Sequence, residues 1–335
     1  VNFRNTSLKC VAGEAPYCYQ HSRADYLTQL IPHDFHMGAP CDRWKAFMAD
    51  IFPDVELRSF IQRAVGYSLL GLTSEQCFFL CYGHGANGKS VFLNTLLRLF
   101  GDYAAQVAST TFMAQSGDRI RADLARLRGV RFVSAIETGD GKRLDEAMVK
   151  AATGGEAIVA EHKYQAPFQF TPEFTLWLAT NHRPRIQGTD YGIWRRVRLI
   201  PFTVTIPPEK QDRDLEQKLL REAEGILSWA VEGACLYLRD GLQAPEAVRV
   251  AVETYRTAED SIGRFLADCT ATGPTLQVAK GDLSKAYTSW AEREGEAPLS
   301  GKRLGLYIAE RGFDEYRSGA ARFWLGLGMQ SGVND

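Results

Sequence analysis

One eight-residue segment constrains the fold of this chain more than any other feature: it reads GHGANGKS, from Gly83 to Ser90. This segment fits the pattern G-x-x-x-x-G-K-[ST] without a mismatch. An apolar run typical of a buried strand, Cys77 to Tyr82, comes directly before it, and residues 90–100 have a helical pattern. Strand, loop and helix follow in the order that a phosphate-binding loop requires. The sequence therefore predicts an α/β sheet with a site for nucleotide phosphates.

The chemistry of such a loop assigns roles to its residues. Its glycines allow consecutive backbone N–H groups to turn toward the phosphates, and the N-terminus of the following helix adds positive potential. We expect Lys89 to reach the β and γ phosphates and Ser90 to ligate Mg²⁺. The residues expected to bind ATP are Gly83, Gly85, Ala86, Asn87, Gly88, Lys89, Ser90 and Val91.

A second candidate is the acid that ends the strand-like run RFVSAIE, Glu137. Such an acid can orient the attacking water or hold the Mg²⁺ shell. An acid at the end of a strand is more often an ordinary surface residue. Ligands of open α/β sheets, however, collect at the carboxyl ends of the strands, where both the loop and Glu137 are expected. This context favours a catalytic role.

Residues 153–181 read as a hairpin followed by a buried strand. The expected tip carries His162, Lys163 and Tyr164, which could contact the phosphates and a sugar or base of a single strand. Asn181 ends the buried strand and is well placed to orient a water near the γ phosphate. Taken one at a time, an exposed tip of this kind carries little information, and Asn at a strand end is commonly a turn former.

Two arginines, Arg195 and Arg196, precede the apolar run Leu199 to Phe202. Solvated guanidinium groups at the edge of a strand are the simplest interpretation. Arginine is also the residue that stabilises charge on a transferring phosphoryl group, often from a neighbouring subunit. An arginine finger supplied in that way would imply a ring of subunits.

Composition narrows the remaining possibilities. The chain has 39 Lys and Arg against 40 Asp and Glu, so its net charge does not attract a polyanion, and a polyanion could bind only at a local basic patch.

None of the seven cysteines forms a C-x-x-C pair, and the spacing of Cys10, Cys18 and His21 fits no familiar zinc pattern, so we expect no structural zinc. Apolar stretches are too short for a membrane span, which indicates a cytoplasmic setting. Because the first residue is Val, we expect a segment of a longer protein.

The patterns predict four parts: a helical N-terminal domain over 1–75, a P-loop ATPase core over 76–206, a helical extension over 207–260 and a winged-helix-like domain over 261–335. Helices are expected at Asp42–Ile51, Leu57–Leu70, Leu215–Arg239 and Ala244–Tyr255. The last part reads as helices over 282–294 and 301–311, followed by a hairpin over 313–325. Lys302 and Arg303, with Arg317 and Arg322, could contact phosphates there or be solvated surface charges.

Taken together, these segments resemble the superfamily 3 helicases, and most closely the phage and plasmid primase-helicases related to the poxvirus primase-helicase. The matching pieces are YGHGANGKSVFLNTL, RFVSAIET, MVKAATGGE through TNHRP, and TDYGIWRRVRLIPF. The likeness covers roughly residues 20–270. It implies an AAA+-like core and a hexameric ring that uses ATP and Mg²⁺ to unwind forked DNA during replication. Movement would be along single-stranded DNA, usually 3′ to 5′, in the cytoplasm of a bacterial host, with any priming activity in an upstream domain.

The resemblance also implies a role for each matching residue. Phosphate binding falls to Lys89, Mg²⁺ to Ser90, the acidic role to Glu137 and the polar sensor to Asn181. DNA contact falls to the hairpin around His162 and Lys163, and the finger to Arg195 or Arg196. Two other functions stay open: a replication initiator or loader that remodels DNA without unwinding it, and a small-molecule P-loop kinase.

Overall fold

The computed structural model describes residues 1–115, 122–137, 139, 141–186, 191–296, 298–319 and 321–330. The chain divides into two compact units, Val1–Val252 and Glu253–Asp335. The four-part division stays a prediction, since it is finer than this.

The first unit begins with a small hairpin and two helices: β1 (Ser7–Lys9), β2 (Tyr17–Tyr19), α1 (Asp42–Ile51) and α2 (Val55–Leu70). Both predicted helices are confirmed. Helix α2 starts two residues earlier than expected, because the Asp54 carboxylate accepts hydrogen bonds from the N–H groups of Glu56 and Leu57.

A five-stranded parallel sheet forms the centre of this unit. Its elements, with those that connect them, are β3 (Phe78–Tyr82), α3 (Lys89–Leu99), β4 (Ala104–Ala108), α4 (Ala122–Ala125), β5 (Phe132–Glu137), α5 (Glu146–Gly154), β6 (Ile158–Ala160), β7 (Phe168–Phe170), β8 (Thr175–Thr180), α6 (Tyr191–Trp194) and β9 (Val197–Pro201). The strands are ordered β4-β5-β8-β3-β9, and every neighbouring pair is parallel. The predicted α/β fold with a parallel sheet is confirmed.

Aromatic side chains join the N-terminal helices to this sheet. The ring of Trp177 on β8 lies 4.3 Å from Phe79 on β3 and 5.8 Å from Phe92 on α3. Phe92 in turn stacks on Trp44 of α1, with centroids 5.9 Å apart. The indole N–H of Trp177 donates to the Ser68 hydroxyl of α2 at 3.0 Å. Helices α1 and α2 therefore share one core with the sheet.

Three helices follow the sheet: α7 (Leu215–Leu220), α8 (Ala223–Asp240) and α9 (Glu246–Glu259). The prediction of one continuous helix over Leu215–Arg239 is wrong, because a turn at Arg221 and Glu222 interrupts the helix. At the break, the Glu222 carboxylate accepts from the backbone N–H groups of Arg43 at 3.1 Å and Trp44 at 3.0 Å. The break thus satisfies N–H groups in the first turn of α1 that lack partners within their own helix.

Helices α2 and α8 approach closely at two glycines. A Cβ added to Gly66 would overlap the backbone of Gly233 and Ala234, and a Cβ added to Gly233 would overlap the Gln62 carbonyl. The backbones can pack at this distance only because neither residue has a side chain.

Gly66→Ala is therefore expected to force the two helices apart and lower the free energy of unfolding by about 1–3 kcal/mol. Denaturant unfolding measures the change. Gly281→Ala is the matched control, because nothing lies within 4 Å of a Cβ at this helical position. Equal stability of the two variants would contradict the proposed close approach.

The second unit contains α10 (Ser261–Cys269), β10 (Thr270–Ala279), α11 (Lys280–Arg293), α12 (Gly301–Glu310), β11 (Glu315–Ser318) and β12 (Ala321–Met329). Its three strands form an antiparallel sheet ordered β10-β12-β11. Phe265, Trp290 and Trp324 are fully buried in its core. The sequence pattern indicated the last two helices and the hairpin but not β10, which contains Gly273 and Pro274 where its register shifts.

Among the residues that the structure describes, no helix combines the length and the apolar character needed to cross a membrane.

Candidate functional site

Three adjacent strands bring the predicted phosphate-binding loop, Glu137 and Asn181 to one edge of the sheet. Strand β8 lies between β5 and β3, and its last residue, Thr180, pairs in register with both Glu137 of β5 and Tyr82 of β3. The strands are parallel, so their carboxyl ends meet at one edge of the sheet. Glu137, Asn181 and the loop that follows Tyr82 all lie at this edge.

The loop between β3 and α3 is shaped by its glycines and held by neighbouring backbone. Gly88, the N-cap of α3, has φ 83°, and its added Cβ would lie 2.7 Å from Ile51 Cγ2. A Cβ on Gly83 would overlap the Phe202 carbonyl. The segment after β9 braces the loop, since Ile206 N–H donates to the Ala86 carbonyl at 2.7 Å. A side chain at Gly83 would require backbone to move, and one at Gly88 would displace Ile51 and strain a positive φ.

Lys89, the first residue of α3, is only 6% exposed. Its ammonium donates to the Gly83 carbonyl, to Asn87 Oδ1 at 3.3 Å and to Asn181 Oδ1 at 3.1 Å. All of these acceptors are neutral, and no ion pair to Lys89 occurs among the described residues. Burial lowers the pKa of Lys89. A buried ammonium whose described partners are all neutral attracts an anion such as a phosphate.

Of the other loop residues, Asn87 is buried and hydrogen-bonds within the loop, and most of the rest are exposed. Asn87 is buried: its amide donates to the His84 carbonyl, and its Oδ1 accepts from Lys89 N at 3.3 Å. His84, Gly85, Ala86 and Ser90 are exposed, and Val91 is half-buried. The loop therefore presents its backbone and the Ser90 hydroxyl outward, while Asn87 holds its shape.

Sequence reasoning missed one cation at this edge. The guanidinium of Arg183 lies over the Tyr82 ring, 4.9 Å from Cζ to the ring centroid. Tyr82 directly precedes the loop, and its ring makes an edge contact with His84, with centroids 6.1 Å apart. The sequence did offer one indication of this contact, since Arg183 follows Asn181 by only two residues and is therefore expected near the same edge of the sheet. The contact fixes a positive charge beside the β3–α3 loop.

The predicted hairpin is present as antiparallel β6 and β7, with the expected residues at its tip. Tyr164 is 90% exposed and has a φ of 67°, and Lys163 Nζ lies 4.9 Å from the centroid of its ring. The His162 ring stacks on Phe168, with centroids 5.3 Å apart. The tip thus presents an aromatic ring and a cation together to solvent.

The two candidate finger arginines lie at the opposite edge of the sheet. They precede β9, and the Arg196 carbonyl accepts from Phe78 N–H at the start of β3. Five residues at about 3.3 Å each put roughly 16 Å between the two edges. The structure therefore does not bring Arg195 or Arg196 to the loop of the same chain.

The environments of Arg195 and Arg196 differ. Arg196 is 8% exposed and donates to Thr153 Oγ1 at 3.1 Å and to the Gly192 carbonyl at 2.5 Å. Arg195 is exposed, and it donates to Gln76 Oε1 at 2.6 Å. Only Arg195 has the exposure that contact with another subunit requires.

Comparison with known proteins finds one matching family model, described as a family of unknown function (DUF5906), over residues 81–196. Relatives include "Putative helicase L207/L206" of Acanthamoeba polyphaga mimivirus, 28% identical over 79% of this chain. "Putative helicase 022R" of Frog virus 3 is 26% identical over 77%, and "Putative primase C962R" of African swine fever virus is 21% identical over 73%. The matches cover 30%, 28% and 27% of those proteins, so this chain spans less than a third of each relative's length.

Two solved structures share the fold. The apo structure of the NrS-1 C terminal region (305-718) has a TM-score of 0.54 at 12% identity and covers 88% of this chain and 77% of that one. The A form apo structure of the NrS-1 C terminal region has a TM-score of 0.52 at 16% identity, over 70% of this chain and 56% of that one. At these identities the likeness concerns the fold alone.

Proposed function

We propose that this chain is the ATP-dependent DNA helicase segment of a replication protein from a phage, plasmid or similar mobile element. One observation carries the proposal: Lys89, the first residue of α3, and Asn181, directly after β8, are 92 positions apart in sequence and hydrogen-bonded at 3.1 Å. A phosphate that reaches Lys89 therefore also meets the side chain best placed to orient an attacking water. Viral relatives that are named as helicases support the same reading.

The proposed roles follow from the geometry of the edge. Lys89 binds the β and γ phosphates of ATP, and the loop N–H groups bind the remaining phosphate oxygens. We assign Mg²⁺, which would neutralise charge on the phosphates, to Ser90, exposed at the start of α3, and to Glu137, the residue that ends β5. Asn181 and Glu137 orient the water that attacks the γ phosphate.

The remaining features belong to a superfamily 3, AAA+-like ring. We propose that Arg195 of one protomer completes the pocket of the next in a hexamer. The β6–β7 hairpins then line a channel for single-stranded DNA and move with hydrolysis, 3′ to 5′ along the strand. The matched segment is a small part of each longer relative, one of which is named as a primase. We propose that any priming activity lies in an upstream domain.

Strand displacement tests this function. Forked DNA with a 3′ tail should be unwound in the presence of ATP and Mg²⁺, but not with a non-hydrolysable analogue, and a 5′ tail should not replace the 3′ tail. ATP hydrolysis stimulated by single-stranded DNA without displacement would favour an initiator or loader. Hydrolysis that single-stranded DNA does not stimulate would favour a small-molecule kinase and contradict the proposal.

The hairpin tip gives a further prediction. Base stacking on an exposed ring contributes about 1–3 kcal/mol, so Tyr164→Ala should weaken single-stranded DNA binding by roughly 5- to 160-fold. Fluorescence anisotropy with a labelled oligonucleotide measures the change. Tyr26→Ala is the matched control, because Tyr26 is 87% exposed and also has a positive φ of 50°. Equal affinity of the two variants would remove the hairpin from the DNA-binding surface.

A further inference from the structure

The hairpin of the second unit places two arginines directly opposite each other. Arg317 of β11 and Arg322 of β12 are cross-strand partners in a regular antiparallel register that runs from Glu315↔Trp324 to Ser318↔Ala321. Both arginines are exposed. Directly opposed residues lie about 4.5–5.5 Å apart at Cβ on the same face, and like charges so placed destabilise a sheet. The pair is therefore a local concentration of positive charge that contributes nothing favourable to the hairpin itself.

Three other cations in this unit are neutralised by ion pairs. Lys280 pairs with Glu315, Arg264 with Glu296 and Arg311 with Asp260. Neither Arg317 nor Arg322 has an acidic partner within the part of the chain that the structure describes; Arg317 donates only to the Gly319 carbonyl, at 3.2 Å. Two opposed and unneutralised guanidinium groups are suited to phosphate oxygens.

Side-chain alternation shows which face carries the pair. Arg322 and Trp324 are two residues apart on β12, so they lie on the same face. Trp324 is buried under α12: its ring lies 3.7 Å from the Cβ that Gly305 would have. The arginine pair therefore lies on the side of the hairpin that α12 covers, and the hairpin extends beyond the core on that side.

Helix α12 adds an exposed face next to this pair. Leu304 and Ile308 are buried against the core, whereas Lys302, Arg303 and Leu306 are exposed, Leu306 by 57%. Lys302 has no ion-pair partner among the described residues. A helix about 10–12 Å in diameter fits the major groove of B-DNA, which is about 12 Å wide. Basic groups at the start of the helix and on the hairpin would then face phosphates on the two sides of the groove.

We infer that α12 and the β11–β12 hairpin bind double-stranded DNA as a winged helix. Helix α12 lies in the major groove, where Leu306 contacts base edges, and Lys302, Arg317 and Arg322 contact phosphates. This surface lies in the second unit, whereas the proposed single-strand contact lies on the β6–β7 hairpin of the first. The ligand is the duplex itself, and binding requires no ATP.

Duplex affinity of the whole chain tests the inference. Fluorescence anisotropy compares a 20-bp duplex with a single strand of equal length, over a salt titration, for wild type and Arg317→Ala/Arg322→Ala. We expect duplex binding to weaken at least 10-fold and the slope of log K against log salt to become shallower by about 1.8, which corresponds to two phosphate contacts. Single-strand binding and DNA-stimulated ATP hydrolysis should be unchanged.

Two further variants make the result specific. Arg256→Ala/Lys285→Ala removes the same charge from exposed positions on α9 and α11 and should leave duplex affinity unchanged. Arg317→Lys/Arg322→Lys keeps the charge and should retain most of the binding. The inference fails if the alanine pair binds the duplex as wild type does, or if the α9 and α11 control loses as much affinity. Its outcome is separable from that of the helicase proposal, because duplex binding without nucleotide does not depend on Lys89.

Discussion

Lys89→Ala is expected to reduce DNA-stimulated ATP hydrolysis at least 100-fold. The ammonium of Lys89 is buried among neutral acceptors and hydrogen-bonded to Asn181, so its loss removes both the charge proposed to face the phosphates and the bond to the amide proposed to orient the water. Preorganised charge of this kind contributes about 3–4 kcal/mol or more to a transition state. Phosphate release in the presence of single-stranded DNA measures the loss.

Lys45→Ala is the control for this experiment. Lys45 is an exposed lysine on α1, and its removal should leave hydrolysis within about twofold of wild type. Circular dichroism and thermal unfolding of the Lys89 variant show whether the loop change has altered the fold. A folded Lys89→Ala protein that hydrolyses ATP at the wild-type rate would refute the assignment of this loop.

The two arginines before β9 should respond differently to removal. Arg195→Ala is expected to keep nucleotide binding and lower hydrolysis about 10³-fold, the scale of an arginine finger. Arg196→Ala is expected to lower the free energy of unfolding by about 2–3 kcal/mol, because it breaks charge-assisted bonds to Thr153 and the Gly192 carbonyl in a buried setting. Hydrolysis assays, nucleotide titration and denaturant unfolding of both variants separate the two outcomes.

Mixing two inactive variants tests whether the finger acts on a neighbour. A pocket that takes Lys89 from an Arg195→Ala protomer and Arg195 from a Lys89→Ala protomer is complete, so mixtures should recover part of the activity that each variant lacks. Arg98→Ala, which removes a surface ion pair with Glu216, serves as the arginine control. Mixtures that stay inactive while assembled, or an Arg195→Ala protein with normal hydrolysis, would contradict the assignment.

Local patterns predicted much of the fold. The P-loop pattern, the flanking apolar run and the helical periodicity placed β3 and α3, and the hairpin that carries Lys163 and Tyr164 followed from two apolar runs around a polar tip. These features depend on residues close together in sequence. Strand β10 escaped notice because Gly273 and Pro274 interrupt its pattern, and its pairing with β12 depends on residues about 50 positions away.

In the candidate site too, contacts between residues distant in sequence could not be predicted from local patterns. That Asn181 reaches the ammonium of Lys89 depends on β8 lying beside β3, and that order arises from packing of the whole sheet. The sequence also offered no way to rank Arg195 against Arg196, which are neighbours of one type; only in the fold is Arg196 buried, where it donates to Thr153 on α5. Arg183 went unnoticed because its contact with Tyr82 joins the ends of two different strands.

The separation of the β3–α3 loop from Arg195, at opposite edges of one sheet, has a consequence for control. On the proposed mechanism a solitary protomer holds nucleotide in a half-built pocket, and turnover begins when a second copy supplies the missing guanidinium. Quaternary assembly would then act as the on-switch of the motor, and the cell would be protected from futile consumption of ATP by copies that have not yet encircled a strand.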